Sequence, residues 1–206
     1  MTIVEDRPLA GHELAQADIA RRAMVDSQLR TSGVSAEFVL RRMGEVARER
    51  FVPGSARGFA YIDRAIALGG GRFLAAPVVQ GMLLQEARPT AADKALLVDG
   101  GSGYLAELLR PLVGSLEVVT PAEAVASPRK GSDFTLLVID GAIEQLPAAL
   151  VRRLGATVRV VTGVVQNGVT RLAIGRKAGD EVALLPLAEL GIPVLPEFAA
   201  PSGWSF

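Results

Sequence analysis

The sequence has no cysteine and only one histidine, and these gaps exclude several kinds of chemistry. Without cysteine there can be no disulfides, thiolate metal sites or cysteine nucleophiles. The single histidine, His12, lies in a polar N-terminal segment, so a Ser-His-Asp hydrolase would require that segment to fold over the active site. We therefore expect neither such a hydrolase nor a metal site.

Excess charge and long apolar runs are also missing. The 22 basic and 22 acidic residues give a formal net charge of +0, which offers no electrostatic footprint for nucleic acid or an anionic membrane. Hydrophobic residues make up 50% of the 206 residues, but no apolar run approaches the ~20 residues of a membrane helix. No secretory signal is apparent, so we expect a cytoplasmic protein whose apolar surface favours a homodimer.

The central stretch of the chain is residues 94–109. Ala95–Val98 has the short apolar pattern of a strand buried on both faces, and helical spacing begins at Leu105. Between them lies the glycine loop, residues 99–103 (Asp-Gly-Gly-Ser-Gly). Glycines let the backbone approach a ligand closely, so the loop is either a ligand site or an ordinary tight turn of an α/β domain.

Periodicity along the chain predicts one domain with an N-terminal extension. Residues 1–17 have no sustained pattern and are expected to form a mobile arm. A single domain follows over residues 18–206, with a helical part over 18–90 that begins at Asp18 and a core over 91–206. The core alternates strands with helices and ends in a hairpin, which predicts an α/β three-layer fold with a mostly parallel sheet and an antiparallel edge.

The clearest strand of the core is Phe134–Ile139, and it ends at Asp140. Ligand-binding residues of open α/β sheets gather at the carboxyl ends of strands. Asp140 is therefore either a ligand-binding residue or a simple turn former.

Several stretches, in this order and spacing, resemble the protein-L-isoaspartate (D-aspartate) O-methyltransferases. The resemblance implies a Rossmann-like fold, S-adenosylmethionine as cofactor, and methyl transfer to isoaspartyl carboxylates of damaged proteins, a protein-repair reaction. The stretches that carry it are Met24–Arg30, Val46–Pro53, Ala60–Asp63, Gly71–Pro77, Ser102–Tyr104 and Phe134–Leu150.

The resemblance also assigns site residues. The cofactor-binding positions are Asp99, Gly100, Gly101, Ser102, Gly103, Thr120 and Asp140. The substrate-binding positions are Arg72, Ala76 and Pro77, although an exposed surface role for Arg72 is the competing interpretation. No catalytic residue is assigned, because the position of the family's serine is Ala75.

The chain departs from the family pattern at polar positions. Leu97 stands at the acidic position of the glycine motif and Asp99 at its first glycine. Thr120 stands where an acidic residue closes the second strand, and one hydroxyl cannot replace a carboxylate that accepts from two ribose hydroxyls. Ala75 and Ala76 stand where the family has Ser-Gln.

A strand also fails to fit. Only residues 120–133 separate the second strand from the strand that ends at Asp140. Each parallel crossover requires a dozen or more residues, so this segment has room for one crossover but not for a further strand and a second crossover. We therefore expect the third strand of the family to be absent and the sheet to begin at Leu116–Val119.

Two functions remain open on the sequence. One is a working methyltransferase with a remodelled site. The other is a catalytically inactive methyltransferase-fold protein that acts as a binding or scaffold module. A dinucleotide-binding oxidoreductase is disfavoured, because no convincing acidic residue follows about 20 residues beyond the glycine loop.

Overall fold

The computed structural model describes residues 11–126 and 133–200. In this part of the chain, a six-stranded sheet has the order β4-β3-β5-β6-β7-β8, and a separate two-stranded hairpin has the order β1-β2. The strands are β1 Ile66–Gly69, β2 Arg72–Leu74, β3 Lys94–Val98, β4 Ser115–Val119, β5 Phe134–Ile143, β6 Leu154–Gln166, β7 Val169–Ala178 and β8 Glu181–Glu189. The α-helices are α1 Gly11–Ala23, α2 Glu37–Glu45, α3 Pro77–Ala87, α4 Tyr104–Leu109, α5 Pro121–Ala126 and α6 Ala148–Val151.

The sheet is parallel over its first four strands and antiparallel over its last two pairings. β3 pairs in parallel with β4 and β5, and β5 pairs in parallel with β6. The pairs β6·β7 and β7·β8 are antiparallel. The predicted α/β class with an antiparallel hairpin at one edge is confirmed. At the other edge, β4 is the outermost strand of the described residues, as expected from the short connection after it.

Alternate residues of the central strands pack into two separate cores, one on each face of the sheet. Leu97 and Val138 face the core that includes α3, α4 and the N-terminal helices. Leu96 and Ile139 face the second core, which includes residues from α5, α6 and a 3₁₀ turn at Pro196–Phe198. This division follows from the two-residue period of a strand and gives the three layers.

The N-terminal helix is longer than the sequence predicted. It begins at Gly11, so the expected helix start at Asp18 is wrong; Asp18 lies inside α1 and forms an ion pair with Arg21. The helical path continues as a π-helical segment, Met24–Leu29, and a 3₁₀ turn that ends at Gly33. Of the arm expected over residues 1–17, residues 1–10 lie outside the described residues.

The β1-β2 hairpin lies beside the glycine loop. Gly69, Gly70 and Gly71 all have positive φ, a conformation that L side chains rarely adopt; Gly69 ends β1, and Gly70 and Gly71 form the turn before β2. Arg72 is the first residue of β2, and Pro77 is the first residue of α3, where a missing N–H costs nothing. The hairpin thereby places Arg72 beside the glycine loop.

The end of the described chain is tied to β5. We name residues 192–199 the C-terminal strap. Ala142 donates its N–H to the carbonyl of Pro193 at 2.8 Å and accepts from the N–H of Leu195 at 2.9 Å. Phe198 is fully buried, and its carbonyl accepts from the N–H groups of Glu144 and Gln145. These bonds hold the strap beside the carboxyl end of the sheet.

Candidate functional site

Three polar side chains lie at the same level on three neighbouring strand paths of the sheet. Val98 of β3 is in parallel register with Val119 of β4 and with Ile139 of β5. The next residue on each strand path is Asp99, Thr120 or Asp140. Asp99 and Thr120 lie at the carboxyl ends of β3 and β4, where ligands bind in open α/β folds. Asp140 lies beside them but inside β5, because this strand continues to Ile143; the predicted strand end at Asp140 is therefore wrong.

The glycine loop is closed by the carboxylate of Asp99. Its oxygens accept from the N–H of Gly101 at 3.1 Å and from the N–H of Gly103 at 3.0 Å. Ser102 Oγ accepts from the N–H of Tyr104 at 3.2 Å. Burial raises the pKa of Asp99, and the two amides and Arg72 oppose that rise. These loop N–H groups are thus directed to side chains within the loop.

Gly100 and Gly101 are required by close neighbours. A Cβ at Gly100 would collide with the carbonyl oxygen of Asp140. Gly101 has φ +112°, and a Cβ there would lie 3.1 Å from Cβ and Cγ of Arg72. The loop therefore packs directly against β5 on one side and against the Arg72 side chain on the other.

Asp140 is a buried carboxylate with an incomplete set of partners. It is 4% exposed. Its Oδ2 accepts from Gln80 Nε2 at 3.1 Å, and its Oδ1 has no hydrogen-bond partner. Burial and the negative charge of Asp99 raise the pKa of Asp140 to about 7, against the opposing effects of Gln80 and Arg48.

Behind Asp140 lies a buried arginine that the sequence did not single out. Arg48 is fully buried and donates from Nη1 to Gln80 Oε1 at 2.5 Å and from Nε to the carbonyl of Ala60 at 2.7 Å. Its guanidinium carbon lies 5.0 Å from the ring centroid of Tyr104, whose hydroxyl has no hydrogen-bond partner. Burial lowers the pKa of Arg48 and raises that of Tyr104 to about 12. Gln80 thus connects a buried cation to a buried carboxyl.

Asp140 was singled out from the sequence, and of the other members of this network Gln80 alone carried a sequence signal. It is the polar residue at a fully buried position of α3, a helix whose other buried residues are apolar or glycine. A buried amide requires partners for both its oxygen and its nitrogen, and Arg48 and Asp140 supply them. Arg48 itself lies among three other charged residues in the sequence, where a solvent-exposed role is the ordinary interpretation.

Arg72 is held by the C-terminal strap. Its Nη1 donates to Glu197 Oε2 at 3.2 Å, and its Nη2 donates to Glu197 Oε1, so the two planar groups meet in a forked, two-bond pair. The side chains are 27% and 22% exposed. The hydrogen bonds from Arg72 lower the pKa of Glu197. The interpretation of Arg72 as an exposed surface arginine is therefore wrong, because its side chain is partly buried and paired.

Thr120 is engaged in local structure. Its N–H and its hydroxyl both donate to Glu123 Oε2, at 2.8 and 2.9 Å, and its Oγ1 accepts from the N–H of Glu123 at 3.2 Å. This is a capping box at the start of α5. The hydroxyl that the resemblance assigned to the ribose is thus used within the helix cap.

The positions assigned to substrate on α3 are apolar. Ala75 is buried, and its carbonyl accepts from Arg48 Nη2. Ala76 and Pro77 begin α3, whose first turn is capped by Asp63 Oδ1, 3.2 Å from the N–H of Val78. Neither alanine side chain can donate to a carboxylate.

A cavity of about 530 Å³ lies away from these strand ends. Its lining residues are Arg42, Glu45, Val46, Ala47, Arg50, Phe51 and Glu107. Within residues 11–126 and 133–200, no group of three or more His, Asp or Glu could hold a metal ion. No helix there is long and apolar enough to cross a membrane.

Comparison with known proteins agrees with this geometry. The family model of protein-L-isoaspartate(D-aspartate) O-methyltransferases matches residues 20–127. Protein-L-isoaspartate O-methyltransferase 2 of Anaeromyxobacter sp. is 31% identical over 180 residues, which are 76% of this chain and 74% of the relative. The chain belongs to the protein-L-isoaspartate O-methyltransferase family.

Similarity to individual family members varies along the chain. A protein-L-isoaspartate O-methyltransferase of Aeropyrum pernix is 46% identical over 95 residues, which are 46% of this chain and 36% of the relative. A Plasmodium falciparum structure, described as a protein-L-isoaspartate O-methyltransferase in complex with S-adenosyl-L-homocysteine, superimposes with a TM-score of 0.70 at 16% identity. It covers 86% of this chain and 98% of that one. At that identity, the likeness establishes the methyltransferase fold of this family member.

The side chains at the site can be tested against the cofactor of the family. The unpartnered Oδ1 of Asp140 and the nearby negative charge of Asp99 fit the positively charged methionine end of S-adenosylmethionine. The nucleoside end lacks its usual acceptor, because Thr120 is occupied by its capping box and β4 is the edge of the described sheet. The residues present fit one end of the cofactor and not the other.

Proposed function

We propose that this chain methylates isoaspartyl carboxylates of damaged proteins with S-adenosylmethionine, held mainly by its methionine end. Membership in the family supports the reaction class. The observation that carries the proposal is Asp140: a buried carboxylate in β5, with one oxygen unpartnered, beside the carboxyl end of β3. An unpaired buried acceptor is costly unless a ligand or water completes it, and a cationic ligand does so most strongly.

The proposed reaction asks little of acid or base groups. S-adenosylmethionine supplies an activated methyl group, and the isoaspartyl carboxylate, already ionised near neutral pH, supplies the nucleophilic oxygen. The chain has to align the two and exclude water. The absence of cysteine and the remote position of His12 are consistent with such a reaction.

The residues of the candidate site have separate roles in this proposal. Asp99 and Asp140 attract the positive end of the cofactor, and Gly100 and Gly101 leave room for close backbone packing. Gln80 and Arg48 hold Asp140 in place from behind. Arg72 binds the substrate carboxylate, because Ala75 and Ala76 provide no donor side chain at this edge.

Calorimetric titration with S-adenosylhomocysteine tests cofactor binding. We expect saturable binding to the wild type, weaker than for a site with an acidic ribose acceptor, because each lost bond to a charged group is worth about 1.5–3 kcal/mol. Asp140→Asn should weaken binding further, whereas the exposed turn variant Asp180→Asn should bind as the wild type does. Equal affinity in all three proteins would remove Asp140 from the site.

A second candidate function follows from a different observation. Asp99 already accepts from two loop amides, and Arg72 lies over Gly101 in a pair with Glu197. These contacts favour a family member that has lost cofactor binding and acts through protein partners, including a second copy of itself. No heat with millimolar S-adenosylhomocysteine would support this candidate over methyl transfer.

A further inference from the structure

The Arg72–Glu197 pair lies beside the glycine loop, and the proposed function assigns Arg72 to the substrate carboxylate. The aliphatic part of Arg72 packs on Gly101, with its Cβ and Cγ 3.1 Å from the place of a Cβ on that glycine. The guanidinium at the end of this side chain is held by a carboxylate in a forked arrangement. The glycine loop is therefore adjacent to an arginine whose guanidinium already binds the carboxylate of Glu197.

The filling carboxylate comes from an ordered segment. Glu197 lies in the 3₁₀ turn Pro196–Phe198 of the C-terminal strap. On its two sides, Leu195 is bonded to Ala142 of β5, and the buried Phe198 accepts from two main-chain N–H groups. Leu195 also packs on Gly141, where a Cβ would lie 2.5 Å from Leu195 Cγ. Because the strap is hydrogen-bonded to β5 and the chain after it on both sides of Glu197, the Glu197 carboxylate stays near Arg72 at a high effective concentration.

The acidic groups near Arg72 explain why an incoming substrate carboxylate has to pair with this arginine to bind. Asp99 and Asp140 are neighbouring acidic groups: the negative charge of Asp99 raises the pKa of Asp140, and Arg72 opposes the rise that burial causes in the pKa of Asp99. A further carboxylate that approaches these groups is repelled unless it pairs with a cation. Arg72 is a partly buried cation beside the loop, with 27% of its side chain exposed, so an external carboxylate and Glu197 compete for the same guanidinium.

We propose that Glu197 is an internal substrate mimic: its carboxylate occupies the Arg72 fork, and an isoaspartyl carboxylate must displace it to bind. The inference rests on the proposed function for the identity of the substrate. It adds a regulatory role for the C-terminal strap, because any event that withdraws Glu197 frees Arg72. If Arg72 is free in only a tenth of the molecules, the apparent affinity for the external carboxylate is lowered about tenfold.

The test measures peptide binding without cofactor. The probe is a short synthetic peptide with blocked termini whose only carboxylate is one isoaspartyl residue, and the reference peptide carries asparagine at that position. Calorimetry is performed on the full chain as wild type, Glu197→Gln and Glu197→Ala. The matched control is Glu189→Gln, which breaks a similar arginine–glutamate pair, Arg171–Glu189, on the β7-β8 edge.

The expected result is a specific gain of binding. Glu197→Gln and Glu197→Ala should both bind the isoaspartyl peptide about tenfold more tightly than the wild type. Glu189→Gln should match the wild type, and the asparagine peptide should show no gain. Adding Arg72→Gln to Glu197→Gln should remove the gain.

Other results would overturn the inference. Equal affinity of wild type and Glu197→Gln, a gain in only one of the two Glu197 variants, or no binding by either variant would each do so. A gain that survives Arg72→Gln would also do so. Since no methyl donor is present, a gain in binding without methyl transfer in a separate assay would retain this inference and reject the proposed reaction.

Discussion

At the scale of single residues, Asp140 is the group whose charge state decides the character of the site. It is buried, it has one unpartnered oxygen, and its pKa is raised to about 7 from an ordinary value of 3.8. As a neutral acid it can donate a hydrogen bond, and as an anion it attracts a cation. The site therefore changes its electrostatic character close to neutral pH.

The first prediction concerns the pH dependence of stability. A folded-state pKa above the unfolded value gives a stabilising contribution that is present below about pH 4 and is lost as pH rises through about 7. Asp140→Asn should therefore become progressively more stable than the wild type between pH 4 and pH 8, by at most about 4 kcal/mol. Chemical denaturation at several pH values measures this difference. A constant difference across that range would show that Asp140 is not the titrating group, and Asp180→Asn provides the exposed control.

The second prediction concerns Gln80. Gln80→Leu removes both the acceptor of Arg48 Nη1 and the donor to Asp140 Oδ2. Because two buried charged groups then lose a partner, the free energy of unfolding should fall by roughly 2–5 kcal/mol. The same substitution at Gln16, exposed on α1, should change it by less than about 0.5 kcal/mol. Similar values for the two variants would mean that the buried network contributes little.

At the scale of elements, the loops and caps at the carboxyl ends of β3 and β4 fix the shape of the site. Asp99 ties the glycine loop to itself, and Thr120 ties the start of α5 to Glu123. Both devices satisfy N–H groups that the ends of short helices leave open. A ligand that uses those N–H groups must first displace a side chain.

The third prediction tests the cap of α5. Thr120→Ala removes the side-chain half of the capping box and should lower the free energy of unfolding by about 1 kcal/mol. Thr120→Ser keeps the hydroxyl and should lose much less. Thermal or chemical denaturation of the three proteins measures the effect; equal losses for alanine and serine would contradict the assigned cap.

The fourth prediction separates backbone strain from the contact with Arg72. Gly101 has φ +112° and packs on Arg72, whereas Gly168 has φ +76° and nothing within 4 Å of an added Cβ. Alanine at either position forces an unfavourable backbone conformation that costs of order 1–3 kcal/mol. Gly101→Ala should exceed Gly168→Ala in cost, because it also displaces Arg72. Equal losses in denaturation experiments would argue against tight packing of Arg72 on the loop.

At the scale of the whole molecule, the architecture was largely predictable from the sequence because it depends on local patterns. The apolar run at Phe134–Ile139 indicated a buried central strand, and the short connection after Thr120 indicated that β4 would be an edge. Asp99 and Thr120 were assigned to the site by the family resemblance, and Asp140 also because it follows the predicted strand Phe134–Ile139; the parallel register places the three positions on neighbouring strands. The strand predictions depend on periodicity and connection length, and the site assignments depend in addition on the family resemblance.

The long-range side-chain contacts of the candidate site were not predictable in the same way. Arg72 and Glu197 are 125 positions apart, and Arg48 and Gln80 are 32 apart, so no periodic pattern relates the members of either pair. The helix start at Asp18 was predicted wrongly because the seven residues before it continue the helix without an apolar face; α1 has no buried residue. Tertiary packing of single polar side chains leaves little trace in one sequence.

The most direct measurement is transfer of a labelled methyl group from S-adenosylmethionine to a peptide with one isoaspartyl residue, with the normal aspartyl peptide as reference. The proposed function predicts label on the isoaspartyl peptide alone, as a base-labile methyl ester, with more label from Glu197→Gln than from the wild type. Absence of label from both proteins, at millimolar cofactor and peptide, would contradict methyl transfer and leave the role of a protein-binding module.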